Sequence, residues 1–387
     1  MHGNNQAHPL PSPMPLPRQS YASVQVVLTC SSLADSVRFL TSELGFQVRM
    51  IMPAEDPTVA VLSTPDCVLR LEQIGAGAGR SVPARLQVLS DLDALPTGAP
   101  RVLEGPDGLS VEVAALHPPL IVPEATQEFV LTRCGATSAW HSGRADMLYR
   151  DLIPSRLGGR FTASHILIPT LGPVPDYVHY HRVRFQMIYC RNGWVRVSYE
   201  DQGEPITLRA GDCVLQPPEI RHRVLESSEG LEVIEISCPA AHETWSDPCM
   251  TLPTGRNLPE REFNGQRFVC NVAAKAHWKA CRFPGFEERD TGIGEATNGL
   301  AGARVLRSCE GAVPERRSGA PGNAHAGEFA FYFVLSGTTV LESTALGAHQ
   351  LSPGDSCVLP ARTDFAIRPT AGLELLEVTL PAELPSA

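Results

Sequence analysis

The chain of 387 residues lacks the features that mark several large classes of protein. Lysine and arginine form no cluster and the net charge is −10, whereas nucleic-acid binding depends on a concentrated basic face. No apolar run approaches the ~20 residues needed to cross a bilayer, and the amino terminus lacks the charged and apolar blocks of a signal peptide. We therefore expect a cytoplasmic protein whose partners are small molecules, not nucleic acid or membrane.

Cys-x-x-Cys pairs are also absent, although the chain has eleven cysteines. Scattered cysteines indicate neither a zinc knuckle nor a disulfide framework, so reduced thiols are expected. The remaining composition, 43% hydrophobic and 19% charged, is ordinary for a soluble globular protein. The length exceeds that of one usual domain and predicts two or three domains.

Histidine carries the most informative pattern that is present. The first segment reads Gly172-x6-His179-x-His181-x4-Gln186-x6-Gly193. Alternate residues of an extended strand face the same side, so the imidazoles of His179 and His181 can point at one ion.

A second segment supplies a further imidazole. It reads Gly211-x5-Pro217-x4-His222, in which glycine and proline mark a turn before a later strand. Three neutral imidazoles, from His179, His181 and His222, then converge on one cavity. Such a set suits iron, zinc, nickel, copper or manganese, and positions left open on the ion can take water, substrate or dioxygen.

These two segments resemble the motifs of the cupin superfamily, G-x5-H-x-H-x3,4-E-x6-G and G-x5-P-x-G-x2-H-x3-N. The chain departs from them in three places: one extra residue follows Gly172, Gln186 replaces the usual glutamate, and Glu219 stands where the second motif has glycine. An amide oxygen is a weaker metal ligand than a carboxylate oxygen, because the amide carries no charge. The resemblance therefore implies three histidine ligands with Gln186 as a weak ligand or hydrogen-bond partner, an arrangement that favours an anionic substrate.

An internal repeat with an offset of about 140 residues organises the remainder of the chain after the first third. The segment GRFTASHILIP from Gly159 aligns with GLAGARVLRSC from Gly299, and GDCVLQP from Gly211 aligns with GDSCVLP from Gly354. Arg150-Asp151 likewise aligns with Arg289-Asp290. Short β-rich runs separated by Gly, Pro and Asp turns fit paired jelly-roll barrels.

The second copy departs from the metal motif. Asn323 and His325 stand at the His-x-His positions, Ala330 at the Gln186 position and Phe365 at the His222 position. One imidazole holds a catalytic ion poorly, so we expect a structural or ligand-sensing role there. This asymmetry resembles bicupin dioxygenases such as the gentisate family, in which one barrel carries the metal.

The amino-terminal region follows a different pattern. Residues 22–46 predict a strand, a loop and a helix with apolar Leu33, Val37, Leu40 and Leu44, ended by Leu-Gly-Phe. With the strands that follow, the region resembles the vicinal-oxygen-chelate, or glyoxalase-like, fold. Gln25 and Ala84 occupy that family's histidine positions and only Glu72 and Glu112 match carboxylates. We expect no metal there and a domain that supports dimerisation or covers the neighbouring barrel.

The predicted fold class is mainly β: two tandem cupin jelly-roll barrels preceded by a small α+β glyoxalase-like βαβββ domain. The predicted boundaries are a proline-rich tail over 1–20, the glyoxalase-like domain over 21–116, a linker over 117–145, the metal-binding barrel over 146–245, a linker over 246–284 and the degenerate barrel over 285–387.

The leading functional hypothesis is a metal-dependent oxygenase acting on a small chelating substrate of aromatic, diketone or hydroxy-acid type. It would use one divalent transition metal, with Fe(II) favoured over Zn, Ni, Mn or Cu. A non-redox isomerase or lyase and a non-catalytic small-molecule sensor remain alternatives. Arg184 and Arg221 flank the motifs, but arginine is more often exposed on the rim of a barrel than directed into its cavity. The catalytic residues beside the ion are therefore left unassigned. A homodimer is the expected assembly.

Overall fold

The computed structural model describes residues 25–53, 57–74, 84–90, 101–116, 118–135, 139–309 and 324–385. The chain forms two compact units, Met1–Pro119 and Leu120–Ala387. Strands dominate both, so the expected mainly β class is confirmed. Within the described ranges no helix is both long enough and apolar enough to span a membrane.

Within its described residues, the first unit contains two sheets and one α-helix. Its elements are β1 Val26–Cys30, α1 Leu33–Leu44, β2 Gln47–Met52, β3 Val59–Ser63, β4 Val68–Gln73, β5 Arg85–Ser90, β6 Arg101–Glu104 and β7 Ser110–Ala115. The sheets have the strand orders β1-β4-β3-β2 and β5-β7-β6, in which β1 with β4 and β5 with β7 are parallel. The likeness of this unit to glyoxalases stays a prediction.

Helix α1 begins and ends where its sequence indicates. The Ser32 hydroxyl caps the first turn by accepting a hydrogen bond from the Asp35 backbone N–H. Gly45 ends the helix in the left-handed conformation, with φ of 68°, which a residue without Cβ adopts readily. Leu33 and Leu40 are buried in one cluster with residues of both sheets. The predicted helix and its apolar face are therefore confirmed.

The second unit consists almost wholly of strands. Its first half carries β8 Val130–Thr132, β9 His141–Ser142, β10 Leu148–Asp151, β11 Thr162–Ile168, β12 Gly172–Pro173, β13 His179–His181, β14 Phe185–Asn192, β15 Trp194–Tyr199, β16 Ile206–Arg209, β17 Cys213–Leu215, β18 His222–Ser227, β19 Leu231–Cys238 and β20 Thr244–Ser246. Its second half carries β21 Glu262–Phe263, β22 Gln266–Arg267, β23 Val269–Asn271, β24 Lys279–Ala280, β25 Phe286–Asp290, α2 Ile293–Ala296, β26 Gly302–Ser308, β27 Phe329–Ser336, β28 Thr339–Ser343, β29 Gly347–Leu351, β30 Ser356–Val358, β31 Ala366–Ile367 and β32 Glu374–Leu380.

Most of these strands form two sandwiches. The first sandwich places a seven-stranded sheet, β23-β17-β14-β19-β11-β10-β9, against a six-stranded sheet, β16-β15-β18-β13-β20 with β12 beside β18. The second sandwich places another seven-stranded sheet, β24-β25-β26-β32-β27-β30-β8, against a three-stranded sheet, β29-β28-β31. Apart from them, β21 and β22 form a two-stranded hairpin.

Apolar layers hold these sheets together. Ile166 and Val195 belong to the layer inside the first sandwich, and a similar layer fills the second. A third layer joins the two seven-stranded sheets, where the rings of Phe161 and Phe329 stack with centroids 4.1 Å apart. Full burial of one such side chain stabilises the fold by roughly 1.5–3 kcal/mol, so this layer fixes the two sandwiches against each other.

The internal repeat reappears in the order of the strands. In the two seven-stranded sheets, β17-β14-β19-β11-β10 corresponds to β30-β27-β32-β26-β25. Each sheet also takes an edge strand from the other half, because β23 pairs with β17 and β8 pairs with β30. Both exchanged strands lie in the segments predicted as linkers, 117–145 and 246–284, and those segments therefore interlock the two halves.

Two matched arginines reinforce this exchange. Arg150 Nη2 donates to the Gly354 carbonyl at 2.9 Å, and Arg289 Nη2 donates to the Gly211 carbonyl, also at 2.9 Å. The repeat aligns Arg150 with Arg289 and Gly211 with Gly354. The same contact is therefore made twice with the halves exchanged, as an approximate twofold relation between them requires.

Candidate metal centre

Two neighbouring strands of the six-stranded sheet carry a cluster of three histidines. His179 and His181 are alternate residues of β13, and His222 opens β18, where it lies opposite His179 in register. The candidate ligand nitrogens of all three lie within 4.8 Å of one another. The side chains of His179 and His222 are buried and that of His181 is half-buried. The structure thus brings together the three histidines selected by the motif spacing.

The spacing of these nitrogens fits one transition-metal ion. Two nitrogens bound at about 2.1 Å from an ion lie about 3–4 Å apart, so the cluster closes on an ion with movements below about 1 Å. The nearest two rings, those of His179 and His222, have centroids 4.2 Å apart. Within the described residues, no other group of three or more His, Cys, Asp or Glu side chains meets this spacing.

Hydrogen bonds to the backbone fix the protonation of two of the imidazoles. His179 Nδ1 lies 2.8 Å from the Tyr177 carbonyl oxygen, and His222 Nδ1 lies 3.0 Å from the Ile220 carbonyl oxygen. A carbonyl only accepts, so each Nδ1 carries the proton and each Nε2 has the lone pair that a cation binds. This tautomer is the one that a metal ligand needs.

Two side chains that the motifs do not include orient the cluster. The buried carboxylate of Asp176 has Oδ1 3.6 Å from His179 Nδ1, and its Oδ2 accepts the Val224 N–H at 2.9 Å. Thr244 Oγ1, on β20, lies 2.9 Å from His181 Nδ1. Partners of this kind hold the ring in place and raise the basicity of the ligand nitrogen. Asp176 lies three residues before His179, but Thr244 is distant in sequence, and only the pairing of β13 with β20 reveals it.

The histidines line a cavity of about 350 Å³ between the two sheets of the first sandwich. Most of the surface of its wall is apolar, and its polar side chains include Gln186, Glu235 and Tyr199. Burial raises the pKa of the Tyr199 phenol, so this side chain stays neutral. Among the described lining residues there is neither lysine nor arginine. An ion held by the histidines would therefore be the strongest cationic charge that an anionic ligand meets in this cavity.

Gln186 occupies a wall opposite the histidines and has a carboxylate as its neighbour. Gln186 Nε2 donates to Glu235 Oε1 at 3.0 Å, from β14 to the adjacent strand β19. Glu235 is absent from the sequence-based set of site residues. The signal that could have found it is a charged residue flanked by Ile234 and Ile236 within a strand, because such a position demands a polar partner.

The two flanking arginines lie outside the cavity lining. Arg184 Nη1 forms an ion pair with Glu328 at 2.9 Å. Arg221 pairs with Asp247 at 3.2 Å, and its guanidinium lies over the Tyr180 ring, 4.0 Å from the centroid. Both guanidinium groups are thus engaged in structural contacts and do not line the cavity.

In the second sandwich, the residues aligned with the proposed metal ligands make other contacts. His325 is buried, with Nε2 donating to the Leu359 carbonyl at 3.0 Å and Nδ1 accepting the Gly327 N–H at 3.2 Å. Both ring nitrogens are therefore used by the backbone. Ala330 and Phe365 belong to the apolar cluster of this sandwich, and Asn323 lies outside the described residues.

The two glutamates of the first unit that match glyoxalase carboxylates are both ion-paired. Glu72 accepts from Arg70 Nε at 2.6 Å, and Glu112 accepts from Arg85. Gln25 is exposed and Ala84 is half-buried. Both carboxylates therefore belong to ion pairs with arginines at or near the surface.

No family model and no curated protein matches the chain. Among solved structures it is similar to protein YlbA from E. coli, at 12% identity and a TM-score of 0.47 over 68% of this chain and 94% of that one. It is also similar to oxalate decarboxylase from Lactobacillus farciminis, at 13% identity and 0.46 over 65% and 86%. A third is salicylate 1,2-dioxygenase from Pseudaminobacter salicylatoxidans, at 13% identity and 0.43 over 57% and 71%. All three are cupin-family proteins.

Proposed function

We propose that the chain is a bicupin metalloenzyme whose first sandwich is the metal-binding barrel and whose second is a degenerate copy. Two features support this assignment. The residues of both cupin motifs meet in space, since His179 and His181 lie beside His222. The second copy repeats the strand order without the ligand set.

The proposed reaction is a metal-dependent oxygenation of a small chelating substrate. The single observation that carries it is three neutral imidazoles at the wall of an apolar cavity whose described lining has no lysine or arginine. A divalent transition metal held there, with Fe(II) favoured, supplies Lewis acidity and the electrons that activate dioxygen. Because the described lining holds neither lysine nor arginine, the anionic oxygens of a substrate would bind at this centre.

The protein's own residues would prepare the site for that reaction. His179, His181 and His222 are the proposed ligands, and the Tyr177 and Ile220 carbonyls keep two of them in the binding tautomer. Gln186 offers an uncharged amide, as a weak ligand or as a partner for bound substrate. The largely apolar wall would limit access of water and so strengthen electrostatic contacts inside the cavity.

The remaining predictions belong to the same proposal. We propose a cytoplasmic homodimer, with the first unit acting as a glyoxalase-like support for dimerisation and not as a second metal centre. This assembly would bind small molecules and neither nucleic acid nor membrane, in line with the net charge of −10.

Oxygen consumption tests the reaction class. Iron-loaded protein is mixed with aromatic, diketone and hydroxy-acid substrates while dissolved oxygen and substrate are followed together. We expect stoichiometric loss of both, abolished in His181→Ala and retained in His277→Ala, which changes an exposed histidine. Turnover without oxygen would replace the proposal with a non-redox isomerase or lyase. Tight binding without any turnover would make the chain a sensor.

A further inference from the structure

Glu235 is a carboxylate in the cavity with no cation beside it. Its Oε1 accepts hydrogen bonds from Gln186 Nε2 at 3.0 Å and from Ser237 Oγ at 3.2 Å. Its Oε2 accepts no hydrogen bond from the described residues, and it is not among the buried unpartnered atoms there, so it faces the cavity. Among the described residues, no lysine, arginine or histidine forms an ion pair within 4.0 Å of this carboxylate, whose hydrogen-bond partners are Gln186 and Ser237.

The second half of the chain shows how the same position is neutralised. Glu377 of β32 is the counterpart of Glu235 in the repeat, and its side chain is fully buried. Arg282 pairs with Glu377, with one of the contacts at 3.1 Å, and Arg304 Nη1 lies 3.8 Å from it. A buried carboxylate is costly unless paired, and these two guanidinium groups provide the pairing.

The register of the strands identifies what changed between the halves. Glu377 lies opposite Arg304 on one side and Tyr332 on the other. Glu235 lies opposite Ser164 and Ile188 at the equivalent positions, and both of these smaller side chains line the cavity. The first sandwich thus retains the glutamate but has a small hydroxyl in place of the arginine and an aliphatic group in place of the phenol.

We infer that Glu235 binds a cationic nitrogen of the substrate, an ammonium or guanidinium group, which takes the place that Arg304 and Arg282 fill beside Glu377. For the opposite end of the substrate, this inference rests on the proposed function, in which the substrate's oxygen atoms bind at the three histidines. Glu235 and the histidines belong to opposite sheets of the sandwich. The inferred substrate is therefore a small zwitterion, with its anionic oxygens toward the histidines and its cationic nitrogen at Glu235.

Charge-assisted hydrogen bonds give this recognition its selectivity. A carboxylate in a poorly hydrated cavity discriminates strongly against a ligand that lacks the matching donor, because the carboxylate then stays unpaired. A cationic ligand should therefore bind at least ~10-fold more tightly than a neutral ligand of the same size.

Matched pairs of small molecules test the inference on the full-length, metal-loaded protein under anaerobic conditions. The pairs are γ-aminobutyrate with γ-hydroxybutyrate, and γ-guanidinobutyrate with γ-ureidobutyrate. Dissociation constants are measured by calorimetry for the unmodified protein, for Glu235→Gln and for Glu229→Gln, which changes an exposed glutamate without a described side-chain contact. Bound metal is assayed on the same samples.

We expect a cationic member to bind at least ~10-fold more tightly than its neutral partner, and this ratio to fall to about 1 in Glu235→Gln but not in Glu229→Gln. The inference is overturned if no cationic member binds more tightly than its partner, or if the preference survives in Glu235→Gln. Loss of metal in the unmodified protein, with the cation preference intact, would instead contradict the proposed function alone.

A second variant tests the inference by copying into the first half the arginine found at the aligned position of the second half. Ser164→Arg installs the side chain of the second half opposite Glu235. We expect this variant to keep its metal and to lose the preference for cationic probes, because the new guanidinium pairs with Glu235. Undiminished cation preference in a folded Ser164→Arg protein would contradict the inference.

Discussion

Gln186 and Glu235 form one hydrogen-bonded pair across adjacent strands, with Gln186 Nε2 donating to Glu235 Oε1 at 3.0 Å. This pair gives a physical reason for the departure from the cupin motif, in which position 186 would be glutamate. A glutamate there would place two carboxylates at hydrogen-bonding distance. The amide instead donates to Glu235, so the pair carries one negative charge instead of two.

Replacing Gln186 by glutamate should destabilise the metal-free protein. The variant loses the hydrogen bond and sets two carboxylates against each other, at a cost of about 2–4 kcal/mol in the free energy of unfolding. Chemical denaturation in the presence of a chelator measures it. The control is Gln186→Glu combined with Glu235→Gln, which restores a donor and an acceptor and should recover stability to within about 1 kcal/mol. A stable single variant would show that the pair is unimportant.

Removing the hydroxyl of Thr244 should weaken metal binding without removing a ligand. Thr244→Val preserves shape but takes away the partner of His181 Nδ1, which lies 2.9 Å from Thr244 Oγ1. Loss of such a partner typically costs 10–100-fold in affinity. Competition with a chromophoric chelator measures the dissociation constant, and Thr251→Val at an exposed site serves as the control. Equal affinities in both variants would mean that Thr244 does not orient His181.

Breaking the contact between the two halves should lower stability. Arg150 donates to the Gly354 carbonyl and lies 2.9 Å from His165 Nδ1, and it is almost fully buried. Arg150→Met leaves that carbonyl unpaired, so we expect a loss of about 2–4 kcal/mol in the free energy of unfolding. Arg289→Met should act in the same direction at the matched contact. Arg209→Met, at an exposed position, should be close to neutral.

Acid should destabilise the fold through His165 and Glu232, whose side chains lie 2.7 Å apart. Burial holds the pKa of His165 below its usual 6.5, and the hydrogen bond from His165 holds the pKa of Glu232 below its usual 4.5. Between the folded-state pKa of each group and its usual value, the unfolded chain binds more protons than the folded chain. The stability that these two groups contribute is therefore complete above pH 6.5 and is lost as pH falls.

Denaturation midpoints measured from about pH 7.5 down to about pH 5 check this dependence. His165→Gln should reduce the slope but not abolish it, because burial also lowers the pKa of His325. His277→Gln, at an exposed position, should leave the slope unchanged. An unchanged slope in His165→Gln would contradict this assignment.

The sequence predicted the parts of the molecule that depend on local pattern. Alternation and spacing selected His179, His181 and His222, and the apolar positions and Gly45 predicted helix α1. Residues paired through distant strands could not be found in this way. Thr244 reaches His181 only because β20 pairs with β13.

Short strands set a second limit on prediction. β8 and β23 have three residues each, too few for a visible alternation, and they lie in segments with the proline content of connectors. Their pairing is set by the other half of the chain, through β30 and β17. Tertiary context, not local sequence, therefore determines the exchange of edge strands.

Elemental analysis of protein purified without added metal, before and after anaerobic reconstitution, tests the central claim most directly. The measurement compares the unmodified chain with His181→Ala and with the exposed control His277→Ala. We predict about one equivalent of a transition metal, iron being favoured, in the unmodified chain and in His277→Ala, and its loss in His181→Ala. No metal in the unmodified chain even after reconstitution, or equal metal in His181→Ala, would contradict the three-histidine site.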